Sequence, residues 1–131
     1  IRESTPLGTG GAILHAVRSD ASPPAAWLVI NGDSLVMMDP ADILAPLRGG
    51  TGVAGVLVGR FMEDTARYGR LEVDAAGKLV RFAEKEPGSG LVNAGVYAFR
   101  HPVLAGVPEQ GACSMERAEA FVREHAAEVA R

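Results

Sequence analysis

The stretch LVINGDS (28–34) is an apolar run that stops on Asn31, Gly32, Asp33 and Ser34. A carboxylate at the carboxyl end of a strand, beside a glycine that lets backbone approach and a serine that can hydrogen-bond, suits a hard cation such as Mg2+ shared with phosphate oxygens. The same residues also suit an Asx turn in which Asp33 only caps the following loop, and from spacing alone the turn is the commoner outcome. Asn93, in VNAG, lies inside an otherwise apolar strand, where an amide is costly unless it is satisfied. GTGG (8–11) opens a helix on bare backbone; it reads as a phosphate cradle, because free amides and the helix dipole attract anions, or as a plain helix start capped by Thr9. His15, His101 and His125 are far apart and show no HxxxH or Cys/His spacing, which argues against zinc. Cys113 stands alone beside Ser114 and reads as structural.

The elements that must position these groups follow from periodicity. GTGGAILHAVRSD (8–20) places Ile13, Leu14 and Val17 at helical spacing, and SPP (22–24) ends the helix. AWLVIN (26–31) and GVAGVLVGRF (52–61) are continuous apolar runs, read as strands buried on both faces. Between them MDPADILAPLRGG (38–50) predicts a short helix with Asp39 as N-cap, Pro40 at the first helical position and glycines past the end. This alternation of helices with buried strands predicts parallel pairing through right-handed crossovers. RLEVD (70–74), the turn AAGK (75–78) and LVRFAEK (79–85) alternate in polarity and predict a β-hairpin. LVNAGVYAF (91–99) is a further strand and HPVLAGV (101–107) a helical turn. The remainder from Ser114 is helical, with Ser114 as N-cap and Glu116 in the first turn. Met37 and Met38 read as core filler.

Composition narrows the function classes. A chain of 131 residues that is 47% hydrophobic can bury one core, so residues 1–131 read as a single domain. The formal net charge is −3, with 13 basic residues interleaved among 16 acids, so no nucleic-acid footprint or polybasic membrane patch is visible. A lone cysteine and no charged-then-apolar leader fit a reducing, cytoplasmic setting. Small-molecule ligands are the better expectation.

Four stretches then act together. PLGTGGAI (6–13), VINGDS (29–34), RYGRLEVDAAGKLVRFAEKE (67–86) and LVNAGVYAF (91–99) resemble, in order and spacing, the central part of the sugar-1-phosphate nucleotidyltransferases. NGDS and ACSMER (112–117) resemble the wording of the heptose 1-phosphate guanylyltransferase branch, with the mannose-1-phosphate guanylyltransferases as near neighbours. The resemblance implies a Rossmann-like α/β/α fold with a mostly parallel sheet and a hairpin insertion. It also implies Mg2+-dependent transfer of a nucleotidyl group from a nucleoside triphosphate, GTP by preference, to a sugar 1-phosphate, with release of pyrophosphate. Carried over residue by residue, Asp33 is the metal ligand; Gly8, Thr9 and Gly10 lie along the nucleobase. Gly69 lies against the sugar, Glu84 and Asn93 read its hydroxyls, and Lys85 meets the 1-phosphate. Without the resemblance, Glu84 and Lys85 are two charges at a solvated strand end, Gly69 is a strand-entry turn, and Gly95 keeps room for a ligand or a neighbouring strand.

The departures from the family pattern matter equally. No glycine-rich loop ending in Thr-Arg and no Pro-Lys-Pro stretch precedes PLGTGG, and no second Asp in an Asp-Ile-Gly-Thr-Pro context follows Arg117. The chain therefore reads as an internal fragment, truncated at its N-terminus and at its C-terminus, or as one with a divergent or frameshifted tail. On that reading it is inactive alone, with an exposed sheet edge and apolar face that favour self-association, including a homo-oligomer. The competing class is a non-catalytic module that binds sugar phosphate or nucleotide or serves in assembly.

Overall fold

A computed structural model describes residues 2–50, 52–108 and 111–124. In chain order the elements are α1 (Gly8–Ser19), β1 (Ala26–Ile30), α2 (Pro40–Leu44) running into a 3-10 turn (Ala45–Leu47), β2 (Gly55–Met62), β3 (Gly69–Val73), β4 (Leu79–Lys85), β5 (Gly90–Arg100), α3 (His101–Ala105) and α4 (Met115–Glu124). The helix over 8–20, the hairpin over 70–85 and the capped helix at Asp39 form as periodicity predicts. Asp39 Oδ1 accepts from the Ala41 amide at 2.9 Å, with Pro40 at the first helical position. Ser114 Oγ accepts from the Arg117 amide at 3.3 Å and so caps α4, with Glu116 in its first turn. Thr9, by contrast, is not a cap: it lies inside α1, whose N-cap position two residues earlier is Leu7, without a side-chain cap. The predicted helical residues 125–131, with His125, lie outside the described residues.

β5 is the centre of the molecule. Tyr97 and Phe99 point into one core with Leu14 and Val17 of α1, Val103 and Leu104 of α3, and Met115 of α4. Val96 and Ala98 point the other way, into a core with Ile43 of α2 and Leu47. A strand covered by helices on both faces must be apolar throughout, and residues 95–99 are all buried. The layers are therefore α/β/α.

The parallel pairing expected from the sequence does not form among the described residues. β1 and β2 both pair antiparallel with β5, and β3 pairs antiparallel with β4 and β5. β1 and β2 do run in the same direction, but β5 lies between them. The burial on both faces expected of those two runs does not form either: β1 leaves Leu28 and Ile30 exposed, and β2 leaves Phe61 exposed. A continuous apolar run marks a strand without reporting the direction of its neighbour. The hairpin is fastened by Arg81, whose Nε and Nη2 donate to both Glu72 carboxylate oxygens at 2.6 and 2.9 Å. The Arg81 bond holds the Glu72 carboxyl below its ordinary value. This contribution is present at neutral pH and is lost as pH falls through the lowered folded-state value. Asp74 closes the turn by accepting from the Ala76 and Lys78 amides, both at 2.9 Å.

β1 pairs only with β5 among the described residues, and its apolar face is open there: Leu28 and Ile30 are exposed, as are Leu35 and Met37 at 90% and 91% in the loop that follows. Met38 packs on the α2 core as expected, whereas Met37 does not. No described helix is long and apolar enough to cross a membrane.

The glycines of α1 serve packing. The Gly10 and Gly11 amides both donate to the Cys113 carbonyl, at 3.0 and 3.2 Å, and the Cys113 amide returns a bond to the Leu7 carbonyl at 2.9 Å. A Cβ on Gly10 would lie 2.4 Å from the Ser114 carbonyl oxygen, inside contact distance of fixed backbone. Gly10→Ala is therefore expected to lower stability by about 1–3 kcal/mol despite alanine's better helix propensity. Gly32→Ala, which meets nothing within 4 Å, should stay within about 0.5 kcal/mol of the parent. Urea unfolding midpoints check both; equal midpoints for the two variants would contradict the docking of α1 on the 111–115 segment.

Candidate functional site

The site grows out of an interruption in β5. From Leu57↔Tyr97 to Gly59↔Asn93 the pairing advances two residues along β2 but four along β5, so β5 bulges between Asn93 and Tyr97. Gly95 sits in the bulge at φ +76°, a left-handed conformation that favours glycine. β2 pairs with β5 on both sides of the bulge and so follows one edge throughout. The other edge is shared: β1 pairs with residues 96–100, and β3 pairs with Val92 and Leu91. Residues 93–95 thus lie in a fork between the end of β1 and the start of β3.

Three groups of residues meet at this fork. The first is the loop after β1: the Asn31 amide donates to the Gly95 carbonyl at 2.8 Å, and the Ser34 amide to the Asn31 carbonyl at 3.1 Å. This seats the NGDS turn on the bulge, with Asp33 exposed at its tip and 3.5 Å from Ser34 Oγ. The second is the entry to the hairpin. Gly69 precedes Arg70, which faces Val92, so Gly69 stands level with Asn93 on one side and pairs with Lys85 on the other. Glu84 faces no residue of β3, because the register steps from Gly69↔Lys85 to Arg70↔Ala83; such bulges re-aim a side chain. Glu84 and Lys85 are exposed and make no ion pair among the described residues. The third is Asn93 itself, half-buried. Its Oδ1 accepts from the Gly95 amide at 2.9 Å and its Nδ2 donates to the Tyr97 hydroxyl at 2.6 Å. Burial pushes the Tyr97 phenol above its ordinary value, with the Asn93 bond offsetting part of the rise.

On the far side of Asp33 the N-terminal turn of α1 faces the end of β1 across a shallow cleft of about 390 Å³, lined by Thr9, Ala12, Ile13, Val29, Asn31 and Asp33 among others. Gly10 does not open into it with a free donor: it is buried, and its amide is taken by Cys113. The phosphate-cradle reading of GTGG loses two of its four backbone donors in the same way, since the Gly11 amide also goes to the Cys113 carbonyl. Thr9 remains, exposed, on the cleft wall. Asp33 is the residue common to the cleft and the fork.

No group of three or more His, Cys, Asp and Glu residues gathers to hold a metal among the described residues. A lone exposed carboxylate nevertheless fits Mg2+, which keeps several waters and commonly takes one or two carboxylates together with substrate phosphate oxygens. Asp33 would be the protein's share of such a site.

A family model described as nucleotidyl transferase matches residues 1–128. The chain belongs to that family. Mannose-1-phosphate guanylyltransferase catalytic subunit beta of Drosophila pseudoobscura pseudoobscura is 33% identical over 105 residues, which is 78% of this chain and 28% of the relative. The bifunctional protein GlmU of Maricaulis maris is 36% identical over 104 residues, 73% of this chain and 23% of the relative. Among solved structures, HddC from Yersinia pseudotuberculosis matches with a TM-score of 0.71 at 30% identity, over 87% of this chain and 48% of that one. The same protein complexed with GMP-PN matches equally well. This nucleotidyl transferase chain has their Rossmann-like α/β fold, and it spans about half of the solved relatives and about a quarter of the curated ones.

Two features of this family member were invisible in the sequence. The bulge at Gly95 gives Asn93 internal partners, so an Asn in an apolar strand does not by itself require a ligand. Thr65, unremarkable in DTARYG, is fully buried and hydrogen-bonded across the fork's entry. No local signal marks it, since its partners are backbone carbonyls 21 and 23 residues away. Gly69 shows the reverse. It has no positive φ, and a Cβ there would meet nothing closer than 3.4 Å, so the fold does not demand a glycine. A Cβ on Gly95 would lie 2.7 Å from Asn31 Nδ2 and 2.9 Å from Ser34 Oγ. Gly95→Ala is therefore expected to cost about 2 kcal/mol or more, combining φ strain and a displaced NGDS turn, whereas Gly69→Ala should leave the thermal midpoint nearly unchanged. Calorimetry of the two variants checks this; a harmless Gly95→Ala would mean the turn is not seated on the bulge.

Proposed function

We propose that the protein carrying this chain transfers a nucleotidyl group from a nucleoside triphosphate, with GTP as donor, to the phosphate of a sugar 1-phosphate of the mannose or heptose type. The observation that carries the reading is the fork: one carboxylate-tipped turn, one exposed cation, one bare glycine and one oriented amide gathered where β1 and β3 part from β5. The guanine preference is supported by the relatives' names alone, one a guanylyltransferase and one solved with GMP-PN.

In this reading the nucleotide lies along the cleft between α1 and β1, with Gly8 and Thr9 at its base. Gly10 holds that helix in place from behind. The sugar occupies the fork. Gly69 leaves room for it, Glu84 accepts from its hydroxyls, and Asn93, with one amide proton and one carbonyl lone pair still uncommitted, can both donate and accept. The Lys85 ammonium is a compact counter-charge for the 1-phosphate. An Mg2+ ion on Asp33 would neutralise charge that develops on the phosphates during transfer. What the chain's own residues do is bring the acceptor phosphate to the same carboxylate that faces the nucleotide cleft, which converts an encounter of two anions into an oriented pair.

Pyrophosphate release from GTP and mannose 1-phosphate by the intact protein is the direct test. Turnover is expected in Mg2+ and should vanish on chelation. Asp33→Asn should keep the fold and lose about 100-fold or more in turnover, since the amide fills the same volume without the charge. Wild-type turnover in that variant would remove Asp33 from the mechanism. Lys85→Ala should weaken mannose 1-phosphate binding by about tenfold while leaving GTP binding unchanged. Equal losses for both ligands in calorimetric titrations would make Lys85 a structural residue.

A further inference from the structure

Lys85 and Gly69 face each other, but each is continued by a loop, and something must keep those two loops in register. The segment leading into Gly69 is residues 63–68, and the segment leaving Lys85 is residues 86–89. Thr65 joins them with its whole polar complement. Its amide donates to the Gly88 carbonyl at 2.9 Å. Its hydroxyl stands 2.7 Å from the Glu86 carbonyl oxygen and 3.0 Å from that of Gly88. A hydroxyl has one proton, and Gly88 already receives the amide, so the Glu86 carbonyl is the better acceptor of the O–H. The Thr65 carbonyl in turn accepts from the Tyr68 amide at 2.9 Å, which turns the chain toward Gly69. Thr65 is 0% exposed, so no water competes for these bonds.

The surrounding contacts are weaker. Arg70 and Glu86 form an ion pair at 3.6 Å with the Glu86 side chain 62% exposed, the kind of pair that contributes little. The bond from Arg70 Nη1 to the Ser89 carbonyl is long, at 3.5 Å. Gly88 adopts φ +110°, so the 86–89 loop is tightly bent and held from one side by Thr65.

We propose that Thr65 is a positioning residue for the sugar-phosphate half of the site: its hydroxyl, by fastening the Glu86 carbonyl, fixes the strand end that carries Lys85 against Gly69. The inference rests on the assignment of Lys85 to the acceptor phosphate given above. Thr65 does not touch ligand; it acts through Lys85.

The test is a double-mutant cycle in the intact protein, with mannose 1-phosphate and GTP titrated calorimetrically against each variant. Thr65→Val keeps the shape and removes the hydroxyl. It should weaken mannose 1-phosphate binding by about tenfold with GTP binding unchanged, a size set by the sensitivity of such contacts to small displacements. Thr65→Ser restores the hydroxyl and should bind like the parent. Because Thr65 acts through Lys85, Thr65→Val combined with Lys85→Ala should bind no more weakly than Lys85→Ala alone. Four results overturn the proposal: parental affinity in a folded Thr65→Val while Lys85→Ala has lost affinity; equal loss for both ligands; additive losses in the double variant; or weak binding by a folded Thr65→Ser. If the valine variant does not fold, the serine variant decides on its own, since only retention of affinity there fits a role for the hydroxyl. Parental affinity in Lys85→Ala is a different failure, because it removes the site reading on which the clamp depends.

Discussion

Gly95 is the constraint on which the rest of the arrangement depends. A sheet with an uninterrupted central strand would carry its neighbours past one another in register, and no gap would open between them. The left-handed residue at position 95 (φ +76°) lets β5 take two extra residues against β2 and so hand its second edge from β3 to β1. The same residue, lacking a Cβ, leaves the space into which Asn31 and Ser34 pack. One backbone conformation thereby creates the fork, seats the Asp33 turn on it, and orients Asn93 through the Gly95 amide. Strain concentrated in this way at a bulge is common where a strand must aim groups at a ligand.

The helices hold this centre from both sides by different means. α2 is anchored by a side-chain cap and the burial of Ile43 and Leu47 under Val96 and Ala98. α1 uses bare backbone: Gly10 approaches the Ser114 carbonyl, and Gly11 the Gly111 carbonyl, more closely than any residue with a Cβ could. That choice withdraws the Gly10 and Gly11 amides from ligand binding while leaving Thr9 on the cleft wall. A glycine run at a helix start is ambiguous between anion binding and close packing, and only the location of the carbonyls that cover it distinguishes the two.

Much of the fold was legible because its signals are local. The Asp39-Pro40 start of α2, the Asp74 turn and the Ser114 cap each depend on residues within four positions of one another. Strand direction was not legible: the apolar runs at 26–31 and 52–61 mark strands but not their pairing, and the antiparallel intruder between them, β5, is specified some thirty residues or more downstream. The site divides likewise. Asp33, Gly69, Glu84, Lys85 and Asn93 could be nominated from four stretches in order, but their meeting depends on the handover of edges at Gly95. Thr65 escaped because a buried threonine bonded to distant carbonyls has no pattern in the sequence.

The central claim is that one fork and one adjoining cleft, sharing Asp33, receive two different ligands. Amide chemical-shift mapping of the intact, isotope-labelled protein tests it most directly. Mannose 1-phosphate should shift the amides of Gly69, Lys85, Asn93 and Gly95, GTP with Mg2+ should shift those of Thr9, Ala12 and Ile13, and Gly32 and Asp33 should respond to both. Shifts from the sugar phosphate confined to the exposed Leu35–Met37 loop or to the α2 side of the sheet, with the fork silent, would contradict the account.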